Sequence, residues 1–290
     1  MMNKTATPVT AEKWDMVIEP RGHLLDIRLK ELWRYRDLLL LMVRRDFVSF
    51  YKQTIFGPIW FFVQPVFTTL IYLFVFNTLA GIKTDGAPAP LFYLAGITMW
   101  NYFSECLLKT STVFRDNAGV FGKVYFPRLI MPLSIVLSNL LKLAVQLLLF
   151  FGALAFYHFF KGGGFSINAH ALLLPLLLLQ LALLGLGAGM IISALTTRYR
   201  DLAFLVSFGV QLLMYATTVV YPLSAAPAKY KWLIAANPLT PIIETFRYGF
   251  LGSGVFTWQP LLLSGMVTCL VALAGVLVFN KVEKDFIDTV

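Results

Sequence analysis

Long apolar runs alternate with short charged segments along this chain, and that pattern predicts most of its elements. A helix needs about 20 apolar residues to cross a hydrocarbon layer. Six runs meet that length, roughly 57–80, 91–108, 129–157, 171–195, 203–221 and 260–280. They are continuous rather than alternating, which excludes a closed barrel of strands. Two shorter apolar pieces fail the test. Residues 38–43 reach Arg44 and Arg45 after six positions. Residues 232–251 begin at Trp232, are broken by Asn237, Pro238 and Pro241, and carry Glu244 and Arg247. That stretch predicts a pair of re-entrant or interfacial helices tucked against the bundle. The expected fold is an all-α integral membrane protein. It has six transmembrane helices, an N-terminal amphipathic interface helix and re-entrant external helices before the last span.

The charged segments set the orientation. With the N-terminus inside, the inner segments hold 18 Lys and Arg residues and the outer ones 5, while Lys142 lies within a span. By the positive-inside rule both termini are cytoplasmic. The net charge of +9 therefore carries a different meaning from the one it has in a soluble protein, where it would point to nucleic acid. With 58% apolar and 13% charged residues, it reports basic side chains held on the cytoplasmic face, and no nucleic-acid partner is expected. The first 37 residues lack the apolar core of a cleavable signal, so the spans are expected to direct insertion. Cys106 and Cys269 both sit in apolar runs and imply neither a disulfide nor a metal site.

Ahead of the first span, "LLDIRLKELWRYRDLLLLMVRRDF" places Leu25, Leu29 and Leu32 at helical spacing beside Arg28, Lys30, Arg34 and Arg36. This is the pattern of a helix lying in the interface with its basic face toward anionic headgroups. It reads either as a juxtamembrane helix obeying the positive-inside rule or as a shelf for a lipid-linked, phosphate-bearing substrate. In the second reading Arg44 and Arg45 join the headgroup contacts.

Catalytic chemistry is hard to find. The nearest approach to a phosphate-binding G-x-x-x-x-G-K-[ST] loop is "GVFGKV", with Asn117 in the first-glycine position and Val124 after the lysine. His23, His158 and His170 have no ligand spacing. With no nucleophile elbow and no acidic metal-binding cluster either, the chain is not expected to be an enzyme, and no catalytic, metal or cofactor residue is assigned.

Polar groups inside the spans carry more information. Ser134, Ser138, Lys142 and Gln146 recur every fourth residue in the third run, beside Asn139. A mid-span lysine costs about 3 kcal/mol on the insertion scale, so the stripe should avoid lipid. It either lines a conduit or bonds helices together, and Glu105 in the second run is a candidate ionic partner for Lys142. Gly185, Gly187 and Gly189 in the fourth run predict a close-packed helix face. Aromatics are dense at 15%. Trp60, Phe61, Phe67, Tyr72, Trp100, Tyr102, Tyr215 and Tyr221 either belt and fill the bundle or offer sliding surfaces to sugar rings. With Glu105, Ser138 and Lys142 they form the set of channel-lining candidates.

Four segments carry a resemblance to a known family: "YKQTIFGPIWFFVQP" from residue 51; "LAGITMWNYFSECLLKTSTVFRDNAGVFGKVYFPRLIMPLS" from residue 94; "TTRYRDL" from residue 196; and "YPLSAAPAKYKWLIAANPLTPIIETFRYGFLG" from residue 221. The sequence resembles the ABC-2-type polysaccharide-export permeases, which move lipid-linked O-antigen, capsule or teichoic acid polymers. The likeness runs from about residue 25 to the end. It implies six spans per subunit, a homodimer, and two copies of a separate cytoplasmic ATPase that binds the ATP and Mg, leaving this chain without a cofactor. It also implies a polyprenyl-linked polysaccharide as cargo, membrane lipids as neighbours and the bacterial inner membrane as location. By the resemblance, Arg115, Asp116, Lys123, Tyr125 and Arg128 in one inner loop, and Arg198, Tyr199, Arg200 and Asp201 in the other, are ATPase-coupling elements. Trp232, Asn237, Pro238, Pro241, Glu244 and Arg247 belong to external gate helices. The chain divides into a tail (1–22), an interface region (23–56) and a membrane domain (57–290). The alternatives are another ABC-2 exporter (teichoic acid, capsule, drug or lipid) or an ion-coupled secondary transporter, for which Glu105 is the one acid inside a span.

Overall fold

In hydrocarbon a backbone can satisfy its own polar groups only as helix or closed barrel, and a chain this apolar folds accordingly. The computed structural model describes residues 29–52, 57–121, 126–162, 166–199 and 201–287, and no strand occurs among them. Arg28, Lys123, Tyr125, Arg200 and the tail 1–22 lie outside the described residues. The helices are α1 (Leu29–Arg34), α2 (Arg36–Tyr51), α3 (Trp60–Tyr72), α4 (Ala89–Ser111), α5 (Val113–Asp116), α6 (Ala118–Phe121), α7 (Ile130–Phe160), α8 (Leu174–Arg198), α9 (Leu202–Tyr215), α10 (Lys231–Ala236), α11 (Leu239–Leu251) and α12 (Trp258–Ile287). A π-helical stretch, Leu73–Leu79, prolongs α3.

Among the described residues, four helical segments are long and apolar enough to cross a membrane: Trp60–Leu79, Ile130–Phe160, Ala169–Arg198 and Trp258–Val282. Two other predicted spans differ. The α4 helix has the length, at 23 residues, but it carries Asn101, Ser104, Glu105 and Lys109. The α9 helix has 14 residues, about 21 Å at 1.5 Å per residue, and ends at Tyr215 where the apolar run continues to Tyr221.

The core forms where α8 is sandwiched between α4 and α12. A Cβ on Gly185 would lie 2.9 Å from Cys106 Cβ, and one on Gly189 would lie 2.9 Å from the Leu107 carbonyl, both on α4. On the opposite face, a Cβ on Gly187 would lie 2.7 Å from Ala272 Cα of α12, and one on Gly275 of α12 would lie 2.6 Å from the Gly187 carbonyl. Small residues let backbones approach this closely where lipid supplies no hydrophobic drive between helices. The sequence predicts one close-packed face; the structure shows two. Phe92, Tyr93, Met99, Leu181 and Met190 complete the core, each 1% exposed or less.

Residues 36–51 pack on α7, with Met42 and Val43 buried and Leu40 and Leu41 exposed. Lys30, Arg34, Arg36, Arg44 and Arg45 are all exposed on this N-terminal pair of helices.

Candidate functional site

Contacts distribute the predicted site residues over two ends of the bundle and the polar stripe between them. At one end, α4 runs directly into α5. Val113 and Phe114 are fully buried, and Phe114 stacks on Phe279 of α12 at 4.6 Å. Phe121 stacks on Phe126 at 5.7 Å, and the Arg128 guanidinium lies over the Phe121 ring. These apolar anchors leave Arg115 and Asp116 exposed, bonded to one another at 2.9 Å, with Thr112 Oγ1 donating to Asp116 at 2.6 Å. The second predicted loop reaches the same end, because Thr196 Oγ1 of α8 donates to the Ser111 carbonyl of α4. Beyond it, Arg198 lies over the ring of exposed Tyr199, and exposed Asp201 precedes α9. The two loops, far apart in sequence, therefore form one polar surface on an apolar footing.

Between the ends, the stripe on α7 faces α4. Lys142 Nζ donates to Glu105 Oε2 at 2.8 Å, and Lys109 Nζ donates to the same oxygen at 2.9 Å. The Lys142 side chain is 8% exposed and that of Glu105 37%. Asn139 accepts from Lys109 at 3.4 Å and donates to Cys106 Sγ at 3.8 Å. Ser138 Oγ and Ser134 Oγ donate back to carbonyls of their own helix. Ser138, Asn139 and Lys142 line one wall of a cavity of about 320 Å³ shared with Arg45, Asp46 and Lys109, and Lys142 is also 5.9 Å from the centre of the Phe61 ring.

The aromatic candidates divide by exposure. Phe61, Trp100 and Tyr102 are buried, whereas Trp60, Phe67 and Tyr215 project outward. Phe67 joins Leu70 and Ile71 of α3 and Phe74 of its π-helical continuation on one exposed face; Tyr215 joins Phe204, Phe208 and Leu212 on α9. Tyr72 connects these helices, its hydroxyl donating to Met214 Sδ at 3.4 Å.

At the other end, the stretch broken by Asn237, Pro238 and Pro241 folds into α10 and α11. Asn237 Oδ1 accepts from the Leu239 N–H at 3.1 Å at the start of α11, and Ser264 of α12 donates to the Pro238 carbonyl at 2.6 Å. The α11 helix ends at Gly252, in the left-handed region with φ +66°. Trp232 is exposed, Pro241 buried, and Asn237 and Pro238 half-buried. Glu244 and Arg247 are buried inside the bundle, at 2% and 0% side-chain exposure, with 3.7 Å between them.

Three of these predicted residues converge on a feature the sequence pattern missed. After α9 the chain leaves the helix, and Thr217, Thr218, Val219 and Val220 are buried outside regular structure. Carbonyls released there need partners, and side chains supply them. Tyr221 Oη donates to Tyr215 O at 2.9 Å, Asn237 Nδ2 to Ala216 O at 3.2 Å, and Arg247 to Thr218 O and, at 2.6 Å, to Val219 O. Non-helical backbone among apolar helices is tolerated where protein buries it, and residues 217–220 are buried in protein. The signal available in the sequence was an arginine in an apolar segment, which must find acceptors.

Residues 37–251 match a family model described as ABC-2 type transporter. An O-antigen export system permease from Klebsiella pneumoniae is 26% identical over 250 residues, 86% of this chain and 93% of its own. One from Myxococcus xanthus is 26% identical over 269 residues, 91% of this chain and 100% of its own. A capsule polysaccharide export inner-membrane protein from Neisseria meningitidis is 20% identical over 264 residues, 87% of this chain and 95% of its own.

Proposed function

Because the chain belongs to the ABC-2 type transporter membrane family, we propose that it is the permease subunit of an ATP-driven exporter that carries lipid-linked O-antigen polysaccharide across the inner membrane. The observation that carries this reading is 26% identity to O-antigen export permeases over nearly the whole of both chains. In this reading a separate ABC ATPase binds and hydrolyses ATP with Mg, and the chain itself holds no cofactor. The tail (1–22) and interface region (23–56) precede the membrane domain (57–290). That domain crosses six times, with α4 and α9 completing the four long apolar helices. Partner contacts within a bundle support membership of α4, whose polar side chains are turned toward α7.

Both termini are cytoplasmic in this reading, in keeping with the excess of basic residues on that side. The surface formed by Arg115, Asp116, Arg198, Tyr199 and Asp201 receives the ATPase. Basic residues of the interface helices hold the substrate's phosphates at the headgroup level. The unsheltered aromatic faces of α3 and α9 are covered by a second copy and line the path of the polymer between them. The helices α10 and α11 cap the outer mouth.

The direct test deletes the gene from a strain that displays O-antigen. Lipid-linked polymer should accumulate in the cytoplasm and surface polysaccharide should fall to background, with both reversed by the plasmid-borne gene. Normal surface polysaccharide in the deletion strain would overturn the reading. A second expectation concerns coupling. Exchanging the signs at one surface pair, Arg115→Glu with Asp116→Lys, should leave the permease inserted but reduce co-purification of the ATPase and surface polymer together. Unchanged ATPase recovery would remove that surface from the contact.

A further inference from the structure

The α9 helix is held loosely along its length and tightly at one end. Among its described residues Val210 alone is buried, while Phe204, Leu205, Phe208, Leu212 and Tyr215 are exposed. The four residues from Thr217 to Val220, just beyond it, are 2% exposed or less.

Arg247 makes that end tight. Its side chain is fully buried and touches three separate pieces of the protein. It donates to Thr218 and Val219 in the broken segment. It donates from Nε and Nη2 to the Phe92 carbonyl of α4 at 3.3 and 3.2 Å, and its Cζ lies 3.5 Å from the Phe92 ring centre. It also sits 3.7 Å from Glu244 on its own helix, α11. Glu244 Oε2 in turn accepts from the Val255 N–H at 3.3 Å. Space for the guanidinium exists because residue 96 is glycine. A Cβ there would overlap Arg247 Nη2 and come within 2.7 Å of the Val219 carbonyl. A planar fork of five donors suits one group that must bind carbonyls on two segments at once. Pulling it out would leave a charged donor and several carbonyls unpaired in a low-dielectric interior.

The opposite end of α9 begins at Leu202, directly after Asp201 of the exposed coupling surface. We propose that Arg247 is the pin of a lever. It fixes the outer end of α9 to α4 and α11, so that force applied at 198–201 swings the cytoplasmic end of α9 while residues 216–220 stay in place. Arg247 is thus a positioning residue for transport rather than a contact for the polymer. This rests on the permease reading above only in placing the push at 198–201.

The test uses the full-length permease with its ATPase in lipid nanodiscs, diluted with unlabelled permease so that distances within one chain are read. Spin labels at L195C and L205C report the cytoplasmic end of α9, and labels at A216C and V255C report the outer end. Between the nucleotide-free and ATP–vanadate states the first distance should change and the second should not. Equal changes in both pairs, or no change in the first, overturn the proposal. Arg247→Lys, which keeps the charge but not the fork, should broaden the outer distance and leave ATP hydrolysis running. In sealed proteoliposomes of the same complex, polymer transported per ATP should fall about tenfold, the factor expected on losing one hydrogen bond from a charged donor. A merely structural defect would lower hydrolysis and export in proportion to the folded protein, and unchanged export per ATP would also overturn the proposal. If Arg247→Lys fails to accumulate, the wild-type distances decide alone. A chain that exports some other cargo would still give the two-distance pattern, so the pin and the O-antigen reading fail separately.

Discussion

Glu105→Leu is expected to destabilise the protein by roughly 3 kcal/mol, the low end of the range for breaking a buried ion pair. The low end applies because Glu105 is itself 37% exposed, whereas the Lys142 side chain left behind is 8% exposed. Two ammonium groups share Glu105 Oε2, so removing the carboxylate takes the ion-pair partner from each and sets them against one another. Lys109, at 45% exposure, turns to water far more readily than Lys142, at 8%. The converse change, Lys142→Met, leaves Glu105 bonded to Lys109 and should cost about 1 kcal/mol. The double variant Glu105→Leu, Lys142→Met should therefore be more stable than Glu105→Leu alone, with a coupling near 2 kcal/mol. Unfolding of the purified permease in detergent micelles measures all three. Additive costs would show that the pair is not an energetic unit. The same series addresses the conduit reading of the stripe. Normal export by a well-folded Lys142→Met protein would leave the lysine with a packing role only.

The pairing of Glu105 with Lys142 was legible because mid-span charges are rare and must find each other. Lys109 as a second partner was less so. It stands at the end of the apolar run and reads as a loop cation until α4 is seen to continue to Ser111. Apolar runs located the long helices to within a few residues; the run 129–157 became Ile130–Phe160 and 260–280 became part of Trp258–Ile287. The run 203–221 misled for a definite reason. Hydropathy reports the solvent a segment prefers and not how its carbonyls are bonded, and Ala216 to Val220 are as apolar as helix. What ends the helix is a set of donors at Tyr221, Asn237 and Arg247, up to 29 residues further along the chain. Rotation was equally invisible. Aromatic spacing could not tell that Phe61 turns inward to Lys142 while Phe67 turns outward, since both lie in one apolar helix.

Gly187→Leu should be among the most damaging single changes in the chain, because the atoms it strikes are backbone. A Cβ at 187 meets Ala272 Cα at 2.7 Å, Ala272 N at 2.8 Å and the Val271 carbonyl at 2.8 Å, and no rotamer of a neighbouring side chain relieves any of these. The α8 and α12 helices must then separate. Separation forfeits contact along both helices, since dispersion falls by a quarter to a half over a gap of about 0.5–1 Å. Gly275 on α12 approaches the Gly187 carbonyl from the other side, so a lateral slip meets the same obstacle. Overpacking of this kind costs about 3 kcal/mol or more, the upper end of the usual range. The control is Gly152→Leu on α7, where a Cβ has open space and the helix gains a better former. Both variants add the same apolar side chain to a helix, so insertion energy cancels in the comparison. Monodisperse protein recovered from membranes, and its resistance to unfolding in detergent, should fall sharply for residue 187 and hold for residue 152. Equal behaviour would mean that α8 and α12 do not touch through their backbones, and with that contact would go the sandwich that carries α4 and the Arg247 clamp.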